Sequence, residues 1–163
     1  MDTEEFDRFA AGLDYPMFVV TTTDGSERSG CLVGFTTQAS IDPPRMLVCL
    51  SRANHTFGVA ERAELLAVHV VEEDQHELTE LFGGSTGDEV DKFDRCSWHA
   101  GPGGVPLLDD CPQYVVGRVL ERLPFGDHTG YLLDPVEVGR CAPSPADPIT
   151  LGQVGDVSPG HEA

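Results

Sequence analysis

The chain has 163 residues, of which 28 are acidic and 10 basic, for a formal net charge of −18. So negative a field argues against nucleic acid or an anionic membrane surface as partner, because both need a basic face. The length suits one domain with a sizeable core, and 18 glycines with 12 prolines imply many turns, as in a β-rich barrel rather than a helix bundle.

Thr3 to Leu13 is expected to form a short amphipathic helix, with Phe6, Phe9, Ala10 and Leu13 on one face and acidic residues early, where the helix dipole favours them. It is expected to pack over one end of the barrel. Met17 to Thr23 is a strand by β-branching, Asp24-Gly25 a hairpin turn, and Arg28 to Phe35 the returning strand. Thr36, Thr37, Gln38, Ala39 and Ser40 then offer hydroxyls, an amide and uncrowded backbone N–H groups without charge. Pro43 and Pro44 end this stretch, and Pro43 keeps Asp42 extended. On residue types alone it is either a solvated loop or a ledge that hydrogen-bonds the edge of a polar, planar ligand.

Arg45 to Leu50 reads as a buried strand that runs into a helix capped by Asn54. The free N–H groups of that helix start, with Ser51, Asn54, Thr56 and the charge of Arg52, suit a phosphate, although an ordinary capped surface helix looks the same. Arg45 and Arg52 are expected to flank one cleft. Leu65 to Val71 is a strand in which His69 is a satisfied core or edge histidine. Asp74 to Phe82 reads as a helix with its own cap and acidic N3 residue, stopped by Gly83-Gly84. Asp88 to Phe93 is a short helix or turn, and Ser97 to Pro106 a Gly/Pro-rich connection rather than a lid. Tyr114 to Leu123 and Thr129 to Gly139 are long strands that pair across Phe125-Gly126-Asp127-His128 and close a barrel. Residues 1–141 form one domain, and the Pro-, Gly- and acid-rich stretch 142–163 is a tail, flexible or packed on a partner subunit.

The five cysteines form no C-x-x-C pair, which fits reduced thiols in a cytoplasmic protein, with Cys31 and Cys49 as core residues. No apolar run reaches the ~20 residues of a membrane helix. Rossmann, P-loop and nucleophile-elbow motifs are missing, and Cys96 with His99 is too small a set to predict a metal. His128 beside Asp127 is either a structural pair or a functional group.

Thr36 to Pro44, the strand after it and Ser51 to Thr56 together resemble the flavin reductase-like family with the FMN-binding split barrel. Lys92-Phe93 ahead of Gly104 to Leu108, and Gly126-Asp127-His128, extend the resemblance from about Tyr15 to Arg140. The family loop often carries Ser where this chain has Thr37 and Gln38. The resemblance implies a mainly β (α+β) fold, an antiparallel split β-barrel with a few short peripheral helices. It implies that Thr36, Thr37, Gln38, Ala39 and Ser40 meet the flavin ring and ribityl chain, that Ser51, Arg52, Asn54 and Thr56 hold the phosphate, and that His128 is catalytic on the nicotinamide side or near the flavin's reactive edge. The activity implied is hydride transfer from NAD(P)H to FMN, with FAD as the alternative flavin. Also implied are a homodimer, a monooxygenase component as user of reduced flavin, and no metal. The competing readings are a non-catalytic flavin-binding or electron-transfer protein and a deazaflavin-dependent split-barrel oxidoreductase.

Overall fold

Short apolar and β-branched runs separated by turn residues recur along this chain, and the computed structural model, which describes residues 2–85, 90–139 and 147–155, places them in strands. These are β1 (Phe18–Thr23), β2 (Arg28–Val33), β3 (Thr36–Ser40), β4 (Arg45–Ser51), β5 (Leu65–Val70), β6 (Trp98–Ala100), β7 (Pro106–Leu108), β8 (Tyr114–Pro124) and β9 (His128–Val138). Seven pair in the order β2-β1-β5-β8-β9-β4-β3, with every pairing antiparallel, and β6 and β7 form a separate ribbon. The expectation of a mainly β, antiparallel fold holds.

Two residues dictate the shape. β2 and β3 lie at opposite edges of the sheet, yet only Gly34 and Phe35 separate them. That link spans roughly 11 Å at most, so the sheet must curl until its edges approach. The Cys49 N–H donates to the Phe35 carbonyl at 2.9 Å and closes the corner. Gly34 has to be small there, because a Cβ would stand 2.9 Å from the Tyr15 ring and 3.0 Å from the Met17 sulfur. The product is a half-barrel with a split between β2 and β4.

Adjacent residues of β1 point to opposite sides. Val20 joins Cys31, Val48, Leu66 and Tyr131 in one buried cluster, whereas Val19 joins Met17, Val71, Phe82, Phe93 and Ile149 in the other. Phe82 comes from the helix α3 (His76–Gly84). Two further helices, α1 (Thr3–Ala10) and α2 (His55–Ala60), precede it in the chain. No helix among the described residues is long and apolar enough to cross a membrane.

Several expectations need correction. The segment Thr36 to Ser40 is an edge strand, not a loop: it pairs with β4, Thr37 opposite Leu47, and an edge strand with one open side tolerates its polar side chains. Helix α1 buries none of its residues; Phe6 and Phe9 remain 53% and 65% exposed, so it does not pack over the barrel end. Gln75, not Asp74, precedes α3 and caps nothing, because its amide already accepts from Glu72 N–H and donates to the Asp110 carbonyl. The stretch Ser97 to Pro106 contains β6 and ends at β7, so it is a structured ribbon. Of the segment 88–93, Lys92 and Phe93 open a 3₁₀ turn, and residues 88 and 89 lie outside the described ones. Part of the expected tail belongs to the body of the protein: Ile149 is fully buried and Val154 nearly so, because both fill gaps beside β1. Residues 142–146 and 156–163 lie outside the described ones.

Candidate functional site

Strand register brings the site together. β4 and β9 pair so that Ser51 stands opposite His128, two residues 77 positions apart in sequence. The backbone of Arg52 extends the pairing, its N–H donating to the Asp127 carbonyl at 2.9 Å. Beyond it the chain turns into α2, whose first turn is capped by Asn54 Oδ1 accepting from Thr56 N–H at 3.0 Å. Arg122 holds the other end of α2, donating to the carbonyls of Ala60 at 3.1 Å and Ala63 at 2.6 Å. Tyr131 adds a hydrogen bond to Glu61 at 2.7 Å. The helix start is therefore held in place from behind.

A cavity of about 240 Å³ occupies the split between β2 and β4. Ser51, Asn54 and His128 form its polar side. Tyr15, Met17, Leu32, Phe35 and Leu151 make the rest apolar, with Cys31 and Cys49 at its walls. Burial pushes the Cys31 thiol up to about 11 and raises that of Cys49, so both stay protonated and act as apolar lining, not as nucleophiles. His128 holds Asp127 Oδ1 at 2.8 Å through Nδ1, and its ring lies 5.1 Å from that of Phe35. This hydrogen bond, reinforced by the charge of the imidazole, lowers the Asp127 carboxyl below its ordinary range. In the neutral ring, Nδ1–H donates to Asp127 and leaves Nε2 as an acceptor.

Asn54 also lines a second cavity of about 310 Å³, shared with Arg52, His55 and Arg62. Arg62 is engaged by Asp24 at 2.8 Å and by the Gly58 carbonyl. Arg52 is exposed, reaches only the Thr129 hydroxyl at 3.3 Å, and has no carboxylate partner among the described residues. A larger cavity of about 380 Å³ runs along β2 beside Arg28, His55 and Lys92. Its charges are already matched: Arg28 pairs with Asp91 at 2.9 Å, His55 with Glu27, and Lys92 donates to the Gly30 and Phe82 carbonyls.

Of the residues expected at the site, Ser51, Asn54 and His128 meet in one cavity, and Arg52 joins Asn54 in the next. Thr56 is turned inward, buried, with its hydroxyl 2.9 Å from that of Ser29. Arg45 does not flank the cleft with Arg52; it pairs with Asp134 at 2.7 Å. Thr36, Thr37, Gln38, Ala39 and Ser40 stand beyond the cavity rim on β3, next to Phe35. Thr37 and Gln38 hydrogen-bond within that strand, to the Gln38 and Ser40 carbonyls. The Thr36 hydroxyl is buried and is the side-chain polar atom without a partner among the described residues. Sequence reasoning missed Tyr15, Met17, Phe35, Cys49 and Leu151 as lining. Only Phe35, next to the polar stretch, carried a local signal.

The flavin reductase like domain family matches residues 10–151 of this chain. The chain belongs to that family. Among curated members, it is 30% identical over 110 residues to the FMN reductase (NADH) RutF of Bradyrhizobium diazoefficiens, covering 67% of this chain and 61% of that protein. It is 32% identical over 123 residues to the FMN reductase (NADH) RutF 2 of Rhizobium rhizogenes, covering 73% and 69%. The chain thus spans about three fifths of the first relative's length and slightly over two thirds of the second's. Among solved structures, the NADH:FAD oxidoreductase of Streptomyces globisporus C-1027 superposes with a TM-score of 0.78 at 26% identity, covering 86% of this chain and 83% of that one.

Proposed function

We propose that this chain is an NAD(P)H-dependent flavin reductase that passes hydride from the nicotinamide to FMN. The observation that carries the proposal is the β4–β9 register, which sets Ser51 and His128 face to face at the polar side of an otherwise apolar cavity. The residues fit a flavin. An apolar slot suits a flat ring system, and the adjoining cavity offers the uncommitted charge of Arg52 to a phosphate.

When bound, the flavin supplies the hydride-accepting ring, and the protein supplies position and electrostatics. Met17, Leu32, Phe35 and Leu151 keep water from the ring face. Ser51 and Asn54 offer hydrogen-bonding groups at the polar side, and Arg52 with the N–H groups around Asn54 takes the phosphate. Thr36, Thr37, Gln38, Ala39 and Ser40, on the edge strand just beyond Phe35, would offer backbone and side-chain donors to the polar edge of a ring that reached past the cavity rim. His128, oriented by Asp127, stands at the cavity mouth beside Phe35, where it orients the nicotinamide. The consumer of the reduced flavin is a separate monooxygenase component, and the working unit is a homodimer that covers the exposed apolar face of α1.

Purified protein is expected to bind FMN with a saturable change in flavin fluorescence and to oxidise NADH or NADPH catalytically when FMN is added. Saturable binding without turnover leaves a flavin-binding protein, and no saturable signal removes the proposal.

A further inference from the structure

The stretch Pro148 to Val154 crosses the start of β1 as a strap. Ile149 exchanges backbone hydrogen bonds with two different segments, its N–H donating to the Val71 carbonyl at 2.9 Å and its carbonyl accepting from Met17 N–H at 2.8 Å. Leu151 N–H donates to the Tyr15 carbonyl at 3.0 Å, and Gly152 N–H to Asp14 Oδ1 at 3.0 Å. The side chains of Thr150 and Gln153 close a reciprocal capping box, and Gln153 also donates to Glu73. Ile149 anchors the strap, fully buried in the cluster around Val19 and Phe82. Leu151 is only half-buried, and it lines the cavity in the split beside Tyr15 and Met17. Tyr15, held by the strap's backbone, meets the Phe35 ring edge-on at 6.0 Å, and Phe35 in turn meets His128.

We propose that Leu151 is a contact for the flavin ring, and that the strap is a wall of the flavin pocket whose seating is coupled to flavin binding. The inference rests on the flavin reading and extends it to a segment outside the barrel strands. A ligand that touches the strap only when it is seated stabilises the seated state by mass action. A short segment outside the barrel strands opens locally at far less cost than global unfolding, so the coupling shows as slower amide exchange in the strap. Ile149, Val154, the capping box and the backbone bonds seat the strap, and Leu151 also packs on the edge of the same cluster, so amide exchange in the unsubstituted chain separates a flavin contact from a loss of seating.

The test uses the full chain, FMN titration by flavin fluorescence, and amide hydrogen exchange at Ile149 and Leu151 with and without saturating FMN. Leu151→Ala is expected to raise the FMN Kd about tenfold, the loss of part of a leucine's apolar contact. Leu151→Met, which keeps apolar volume, is expected to stay within about threefold. Both amides are expected to exchange more slowly in the unsubstituted chain when FMN is present. Unchanged affinity in Leu151→Ala, a loss in Leu151→Met as large as in Leu151→Ala, or exchange indifferent to FMN overturns the inference, while saturable binding by the unsubstituted chain still upholds the flavin reading. No saturable binding by the unsubstituted chain overturns both. Should Leu151→Ala misfold, the exchange measurement on the unsubstituted chain decides.

Discussion

His69 lies wholly inside the sheet, its Nδ1 3.1 Å from the Val19 carbonyl and its Nε2 accepting from Leu108 N–H at 3.2 Å. Only the neutral ring with its proton on Nδ1 satisfies both contacts. Burial, helped by the charge of His99, lowers its pKa from the ordinary 6.5 to about 4 against the pull of the Val19 carbonyl. The unfolded chain therefore takes up this proton first as the medium turns acid. The stabilisation from His69 is complete above about pH 6.5 and is lost as pH falls towards 4, up to about 3 kcal/mol in all. Urea unfolding should show a smaller loss of stability between pH 7.5 and 5 in His69→Leu than in the unsubstituted chain, after allowing for a lower starting value; identical pH slopes refute this. At the site, Arg52→Ala should weaken FMN binding by about 1–3 kcal/mol, because a charge-assisted contact to phosphate is lost. His128→Ala should lower kcat while changing the FMN Kd little. If single-turnover hydride transfer runs at the normal rate in that variant, His128 is a structural partner of Asp127 and no more.

Among the elements, α1 is the one whose sequence and surroundings disagree. Its periodicity is that of a helix with something to cover, and Asp2 caps it, yet Phe6, Phe9 and Leu13 face solvent. Val136 and Val138 of β9 are exposed as well. An apolar helix face left uncovered by the described residues is, under the dimer proposal, the surface that a second copy would cover. Phe9→Asp should therefore shift the molar mass measured by light scattering from dimer to monomer, without loss of strand content by circular dichroism. A monomeric mass for the unsubstituted chain at micromolar concentration would end the dimer proposal. β3 teaches a complementary lesson. Thr36 to Ser40 carries no alternation, because an edge strand with one open side needs none, and pairing with β4 decided its conformation.

For the whole molecule, the excess of 18 negative charges is the dominant long-range term. At ~0.01 M salt the Debye length of ~30 Å lets carboxylates across the domain repel one another, and at ~1 M it falls to ~3 Å. Folding concentrates these charges, so salt should stabilise the native state. Calorimetry is expected to show Tm rising by about 5 °C or more between these two salt concentrations. A flat or falling Tm would mean that local pairs such as Arg28–Asp91 and Arg45–Asp134 outweigh the net repulsion. Under the proposed function a flavin phosphate would enter the same negative field, so its binding would depend on donors placed within a few ångströms, the role proposed for Arg52 and the Asn54 turn.

Local residue patterns sufficed for β1, β2, β4 and β5, the long hairpin around Phe125 to His128, the Asn54 cap and a structural role for His69, but not for β3. Each depends on β-branched or apolar runs, a turn dipeptide or a cap, and all of these act over a few residues. The shortness of the Gly34-Phe35 link was equally legible, but its consequence was not. That a two-residue corner joins opposite edges of one sheet, that Ser51 registers with His128, and that Leu151 returns to line the same cavity as Tyr15 depend on pairing between distant segments. Such pairings are selected by the collective burial of Val19, Val20, Ile149 and their neighbours, for which no single stretch of chain carries the information.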